Sequence, residues 1–110
     1  MKDDKSLSEL FYVTHSTLHG KGLFACKEIK KEQYLGTYDG PTTRHNGMYV
    51  LWVEEDEGEW KGYNGKNLLR YINHSKTPYC EFDGLKLYAS QRVKKDQEIT
   101  TNYGDESGLD

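Results

Sequence analysis

His15 and His19 stand four residues apart, the spacing with which one helix face offers two metal ligands. Gly20, Lys21 and Gly22 follow at once, so the segment reads as a tight turn entering a strand, and no metal site is expected there. Cys26 and Cys80 are the only cysteines, too few for a four-cysteine zinc site or a disulfide scaffold. Both lie in strand patterns and read as small buried hydrophobes. Three other groups have the residue types for chemistry. Gly20-Lys21-Gly22 could let a ligand approach the backbone closely. Asn73 and His74, and far away Tyr103, are polar residues that a folded chain could bring together. Nine tyrosines are many for a chain of this size, and each couples an apolar ring to a hydroxyl. Each group also has a plain structural reading: a turn, a satisfied core histidine, strand tyrosines.

The elements that must position these residues are short. Candidate strands are Phe11–Val13, Gly22–Cys26, Gln33–Tyr38, Met48–Val53, Cys80–Phe82, Leu85–Ala89 and Glu98–Asn102. Between them lie turn-rich stretches at 19–22, 39–41, 56–59, 63–66 and 76–78. Asp83-Gly84 predicts a hairpin, because glycine tolerates the positive φ of a two-residue turn. Asn67–Ile72 places Leu68, Leu69 and Ile72 on one face and predicts one short helix. Glu54–Glu59 reads as a solvated acidic loop and Glu106–Asp110 as a loose tail. No internal repeat and no linker is apparent.

Composition narrows the class. The 110 residues suit a single domain with a small core. A net charge of -3 argues against a stand-alone nucleic-acid binder, so no direct nucleic-acid partner is expected. No apolar run approaches the ~20 residues of a membrane span. The N-terminal ten residues hold no stretch of signal-peptide type. A cytoplasmic location is the expectation, with nuclear and secreted-effector locations left open.

Three segments acquire a common meaning when taken in order: His19–Ala25, Arg70–Ser75 and Glu98–Asp105. Together they resemble the signature segments of SET-domain protein lysine methyltransferases. Thr37-Tyr38-Asp39-Gly40 resembles the Tyr-x-Gly strand end of the same family. The resemblance covers residues 12 to 105 and implies one SET domain over 1–110. It implies a mostly β, β-clip-like fold of several small sheets, with a knot-like C-terminal crossing and one short helix. It also implies methyl transfer from S-adenosylmethionine to a lysine of a protein substrate, leaving S-adenosylhomocysteine, with no metal.

Carried over residue by residue, the resemblance makes Tyr103 the essential catalytic tyrosine, with Tyr38 beside it at the lysine channel. Gly20, Lys21, Gly22 and Leu23, with Asn73, His74 and Tyr103, become the cofactor-binding set. Tyr38, Tyr49, Phe82 and Thr101 become the channel lining. The reaction needs a neutral amine, and lysine's reference pKa is about 10.4. An apolar channel and a neighbouring sulfonium would both lower it. Thr101 is small and Phe82 lacks a hydroxyl, so a roomy channel reaching di- or trimethyl-lysine is expected.

The chain ends seven residues after Tyr103, short of the C-terminal cover common in relatives, so the acidic loop, a second copy of the chain or nothing is expected to close the site. The acidic balance suits a basic, histone-like protein substrate. A SET-like module that binds cofactor or peptide without turnover remains the alternative.

Overall fold

Alternation of side chains dictates the strands, and their burial shows which face each one covers. The computed structural model describes residues 7–18, 20–55 and 58–102. Among these, the strands are β1 (Phe11–His15), β2 (Lys21–Ala25), β3 (Tyr34–Thr37), β4 (Thr42–Thr43) and β5 (Val50–Glu54). They continue with β6 (Trp60–Asn64), β7 (Asn73–His74), β8 (Cys80–Asp83), β9 (Lys86–Ala89) and β10 (Glu98–Thr101). β5 shows the period of two: Leu51 and Val53 are buried, Trp52 and Glu54 exposed. β10 instead buries Ile99, Thr100 and Thr101 in a row, as a strand covered on both faces must.

The main sheet runs β1-β2-β10-β8-β9-β3, with β7 also paired to β10, and β4-β6-β5 forms a second sheet. The last strand is therefore interior. β10 is antiparallel to β2 through Ile99 and Leu23, and parallel to β7 through Thr100 opposite Asn73 and Thr101 opposite His74. It meets β8 only at Cys80. Leu23, Leu87, Ile99, Val93 and Cys80 lie at the centre of the core. Burial pushes the Cys80 thiol up to about 12, whereas Cys26 is half-buried at the end of β2. No helix among the described residues is long and apolar enough to cross a membrane.

The mostly β architecture is the expected one, and seven of the strands fall on their predicted segments. The hairpin at Gly84 forms with φ +63 and Asp83 opposite Lys86. The predicted helix is a single 3-10 turn, Leu68–Tyr71, flanked by extended residues at Asn67 and Ile72. β4, β6 and β7 have no sequence signal. Thr42–Thr43 and Asn73–His74 are two-residue strands, and β6 carries Lys61, Gly62 and Asn64, whose types read as turn. The acidic segment joins β5 to β6, with Asp56 and Glu57 outside the described residues, as is the crossing expected beyond Asn102.

The structure also reveals a repeat where the sequence had shown none. Ile29-Lys30-Lys31-Glu32-Gln33 and Val93-Lys94-Lys95-Asp96-Gln97 build the same turn. In each, the glutamine N–H donates to the first lysine carbonyl, at 3.1 Å in both turns. In each, the glutamine Oε1 accepts from that lysine's N–H, at 3.1 and 3.3 Å. In each, the acidic residue takes a left-handed φ, +70 at Glu32 and +68 at Asp96. The turns dock reciprocally: Glu32 N–H donates to Ala89 O and Asp96 N–H to Ala25 O, both at 2.7 Å, around an Ile29–Val93 bridge. Five short, chemically conservative matches are too few to stand out by eye.

The left-handed φ of +70 at Glu32 strains a residue that carries a Cβ. Glu32→Gly is expected to stabilise the fold by roughly 0.5–1 kcal/mol in urea denaturation. Asp96→Gly should gain less, because Asp96 Oδ1 also accepts from the Tyr12 hydroxyl at 2.9 Å. Equal gains at both positions would contradict this account.

Candidate functional site

β10 draws three distant segments into one place. Its first residue, Glu98, is half-buried and gathers polar partners from the other two. The Ser16 hydroxyl donates to both carboxylate oxygens, at 2.8 and 2.9 Å. Asn73 Nδ2 donates to Glu98 Oε2 at 2.8 Å and to the Lys21 carbonyl at 3.1 Å. Gly22 is a glycine for space: a Cβ there would lie 2.3 Å from Glu98 Oε2. Gly20 is a glycine for conformation, with φ +42, and a Cβ there would meet nothing within 4 Å. The loop 16–20 closes by a 2.8 Å bond from Ser16 N–H to Gly20 O.

Aromatic rings form a second group, which includes Tyr71 of the 3-10 turn. The Tyr38 ring is buried and meets Phe82 edge-on at 5.7 Å. Its hydroxyl donates to the Tyr49 carbonyl at 2.5 Å. Gly65 makes room for this ring, since a Cβ there would lie 2.4 Å from the hydroxyl oxygen. Tyr49 stacks edge-on against Tyr71 at 5.8 Å, and the Arg70 guanidinium lies 4.4 Å from the Tyr71 ring centre. Arg70 is held there by the carbonyls of Lys66 and Asn67 and by the Tyr71 hydroxyl. Burial pushes the Tyr38 hydroxyl up to about 12, against a smaller opposing pull from Arg70.

A cleft of about 500 Å³ lies between β5 and β8 and reaches Asn102, the residue before Tyr103. Phe82 forms part of its wall, with Trp52 and Trp60 opposite and Glu54 and Glu81 among its charged lining. Among the described residues, β5 pairs with β6 alone, and β8 meets β10 at Cys80 alone. Two strand edges thus border this cleft, and unpaired edges can take an extended peptide by main-chain bonds.

The residues expected at the site are distributed as follows. Lys21, Gly22 and Asn73 gather near the Glu98 side chain, which opens β10, with Gly20 next in the chain, whereas His74 stands opposite Thr101 at the end of that strand. His74 is exposed, which removes the core-histidine reading. Leu23 is fully buried and can offer only its backbone, which is paired with Val13 and Ile99. Tyr38, Tyr49 and Phe82 form the aromatic group, whereas Thr101 is 1% exposed, between His74 and Cys80 in the strand pairing. Tyr103 and His19 lie outside the described residues. Glu98, Ser16 and the two cleft tryptophans were not read as functional from sequence. Ser16 and Glu98 are 82 residues apart, and nothing local signals that they meet.

The family model for the SET domain matches residues 20–104, and the chain belongs to the SET domain family. It is 27% identical over 107 residues to histone-lysine N-methyltransferase MEDEA of Arabidopsis thaliana, covering 86% of this chain and 16% of that protein. It is 26% identical over 113 residues to histone-lysine N-methyltransferase 2D of Homo sapiens, covering 84% of this chain and 2% of that protein. The chain thus spans a small part of the length of these relatives. The methyltransferase domain of human histone-lysine N-methyltransferase SETMAR has the same fold, with a TM-score of 0.73 at 19% identity, over 84% of this chain and 44% of that one.

The Tyr38 hydroxyl supplies a pH prediction. Its pKa rises from 10.0 to about 12 in the folded chain, so the folded state holds this proton more tightly than the unfolded state. The stabilising contribution is complete below pH 10 and is lost as pH rises towards 12. An absorbance titration of tyrosinate should show that Tyr38→Phe removes the latest-titrating component of the native protein. Loss of a component titrating at the ordinary tyrosine value would refute the burial argument.

Proposed function

We propose that this chain is a protein-lysine N-methyltransferase that uses S-adenosylmethionine. The observation that carries the reading is the insertion of β10 between β2 and β7, which joins the Gly20–Gly22 loop to Asn73 and His74 and leads directly to Tyr103. The residues present fit this cofactor. Open space beside Gly20 allows a ligand to approach the backbone, and the Asn73 amide is held firmly by two acceptors. The backbone of Gly20, Lys21 and Gly22 would hold the methionine portion, with Asn73 and the backbone at His74 beside it. When bound, the cofactor supplies a methyl group made electrophilic by its sulfonium.

The chain's own residues then have two tasks. The first is to align donor and acceptor for an in-line displacement. The second is to keep the lysine amine neutral. Rings of Tyr38, Tyr49 and Phe82 exclude water around the amine, and desolvation disfavours its charged form. The Tyr38 hydroxyl, bonded to the Tyr49 carbonyl, holds the ring wall in place. The Tyr103 hydroxyl orients the amine towards the methyl group. Thr101 is small, which supports product beyond monomethyl-lysine. A basic protein segment would lie in the cleft between β5 and β8, where Glu54 and Glu81 supply complementary charge.

The test is incubation of the full chain with methyl-labelled S-adenosylmethionine and core histones, read by mass spectrometry of lysine residues. Methyl-lysine is expected from the wild type. Tyr103→Phe should lower turnover on the order of a hundredfold or more, because one hydroxyl at the reacting centre is lost. Its calorimetric affinity for the cofactor should stay within a few-fold of wild type. Wild-type turnover in this variant would remove Tyr103 from the catalytic role, and binding without any transfer to lysine would favour the non-catalytic module.

A further inference from the structure

Trp52 and Trp60 are the only tryptophans of the chain, and both line the cleft between β5 and β8. The strand pairing sets them on one face of the smaller sheet. Trp52 stands opposite Gly62 and Glu54 opposite Trp60, so the two indoles are diagonal neighbours with Glu54 beside Trp60. Cβ atoms on such a diagonal lie about 7–8 Å apart, within reach of aromatic side chains. Trp52 is held at both ends of its ring. Its Nε1 donates to Asn46 Oδ1 at 3.1 Å, and its far edge lies over Gly62, where a Cβ would come 3.0 Å from Cη2 and Cζ3. Trp60 is 60% exposed, which leaves its ring open to a ligand.

The charged residues of the cleft lining are Glu54 and Glu81, and the lining holds no lysine or arginine. Among the described residues, neither carboxylate has an ion-pair partner. Two unneutralised negative charges therefore border indole rings, whose faces themselves attract cations. The kind of cation follows from the mixture. An ammonium is compact and strongly hydrated, and covers little of a ring. A trimethylammonium meets aromatic faces but has no N–H to give a carboxylate. A guanidinium is planar, stacks on an indole, and directs its in-plane N–H groups at carboxylates.

We propose that this cleft is an arginine subsite, in which the guanidinium of an extended peptide stacks on the Trp52 and Trp60 rings while Glu54 and Glu81 accept from its N–H groups. The strand edges beside the cleft suit an extended peptide. The proposal deepens the methyltransferase reading and rests on it for one point, that this arginine lies close in sequence to the target lysine. The cleft reaches Asn102, next to Tyr103, so the two side chains belong to one bound segment.

The experiment uses the full chain without cofactor and reads tryptophan fluorescence, which comes from the two cleft indoles alone. The probes are capped alanine-serine peptides with one lysine and one arginine, the arginine moved stepwise along either side of the lysine. At one position, arginine is expected to bind about tenfold or more tighter than citrulline, which keeps the shape and loses the charge. Lysine and trimethyl-lysine at that position should also bind more weakly than arginine. The double variant Glu54→Gln with Glu81→Gln should erase the advantage of arginine over citrulline. Trp60→Leu should reduce it, with Trp52 still reporting. Methyl transfer to the same peptides is the second measurement, and arginine at the preferred position should act mainly by lowering KM.

The inference is overturned by any of three results: no position where arginine outbinds citrulline, trimethyl-lysine bound as tightly as arginine, or an undiminished arginine preference in the folded double variant. Methyl transfer that ignores arginine would overturn the subsite and leave the methyltransferase reading intact. Arginine-dependent fluorescence without methyl transfer would support the subsite and count against that reading.

Discussion

β10 is a strand near the end of the described chain that must enter the middle of a sheet. Its backbone groups are satisfied from β2 on one side and from β7 and β8 on the other. Ile99, Thr100 and Thr101 are all buried there, so the strand cannot be half-docked without exposing polar backbone to an apolar interior. The candidate site is a by-product of this constraint. Residues 20–22, 73–74 and 98–102 become neighbours only when the strand is in place, and the Glu98 carboxylate joins all three through Ser16, Asn73 and the space beside Gly22. Such non-local pairing is slow to form, because loop closure costs entropy before any contact offsets it.

The paired turns explain how so short a chain makes this insertion stable. Each turn sends its glutamine carbonyl to the alanine N–H that ends the other half's strand: Gln97 O to Ala25 and Gln33 O to Ala89, both at 3.0 Å. Neither turn can be complete without the other half. The exposed faces of the same turns carry Lys30, Lys31, Lys94 and Lys95, while Glu54 and Glu81 line the cleft.

The aromatic corner follows a different logic. Tyr38 is buried, yet its hydroxyl is satisfied by the Tyr49 carbonyl, so the ring can serve as an apolar wall without an unpaired polar group. Arg70 is spread over Tyr71 and anchored by two backbone carbonyls, which leaves its charge beside the wall rather than inside it. Under the proposed function, a wall of this kind would suit a lysine amine that must lose its proton before it reacts.

What the sequence determined by itself is local. The short apolar run Met48–Val53 placed β5, the Asp83-Gly84 pair placed the hairpin, and glycine at 20 and 22 marked a turn. Motif order carried the family, because the glycine, Asn-His and Tyr-Gly segments keep their spacing along the chain whatever their partners. The tertiary structure alone decided which groups meet. Glu98 looked like an ordinary strand-opening acid, Ser16 like a loop residue and Trp52 like a strand residue of no consequence, while Trp60 fell outside every expected strand. Their importance comes from contacts across as many as 82 residues, or from a cleft between two sheets. Such contacts depend on how strands stack and cross. Side-chain pattern reports only the face a residue takes, so it cannot say what will stand on the other side.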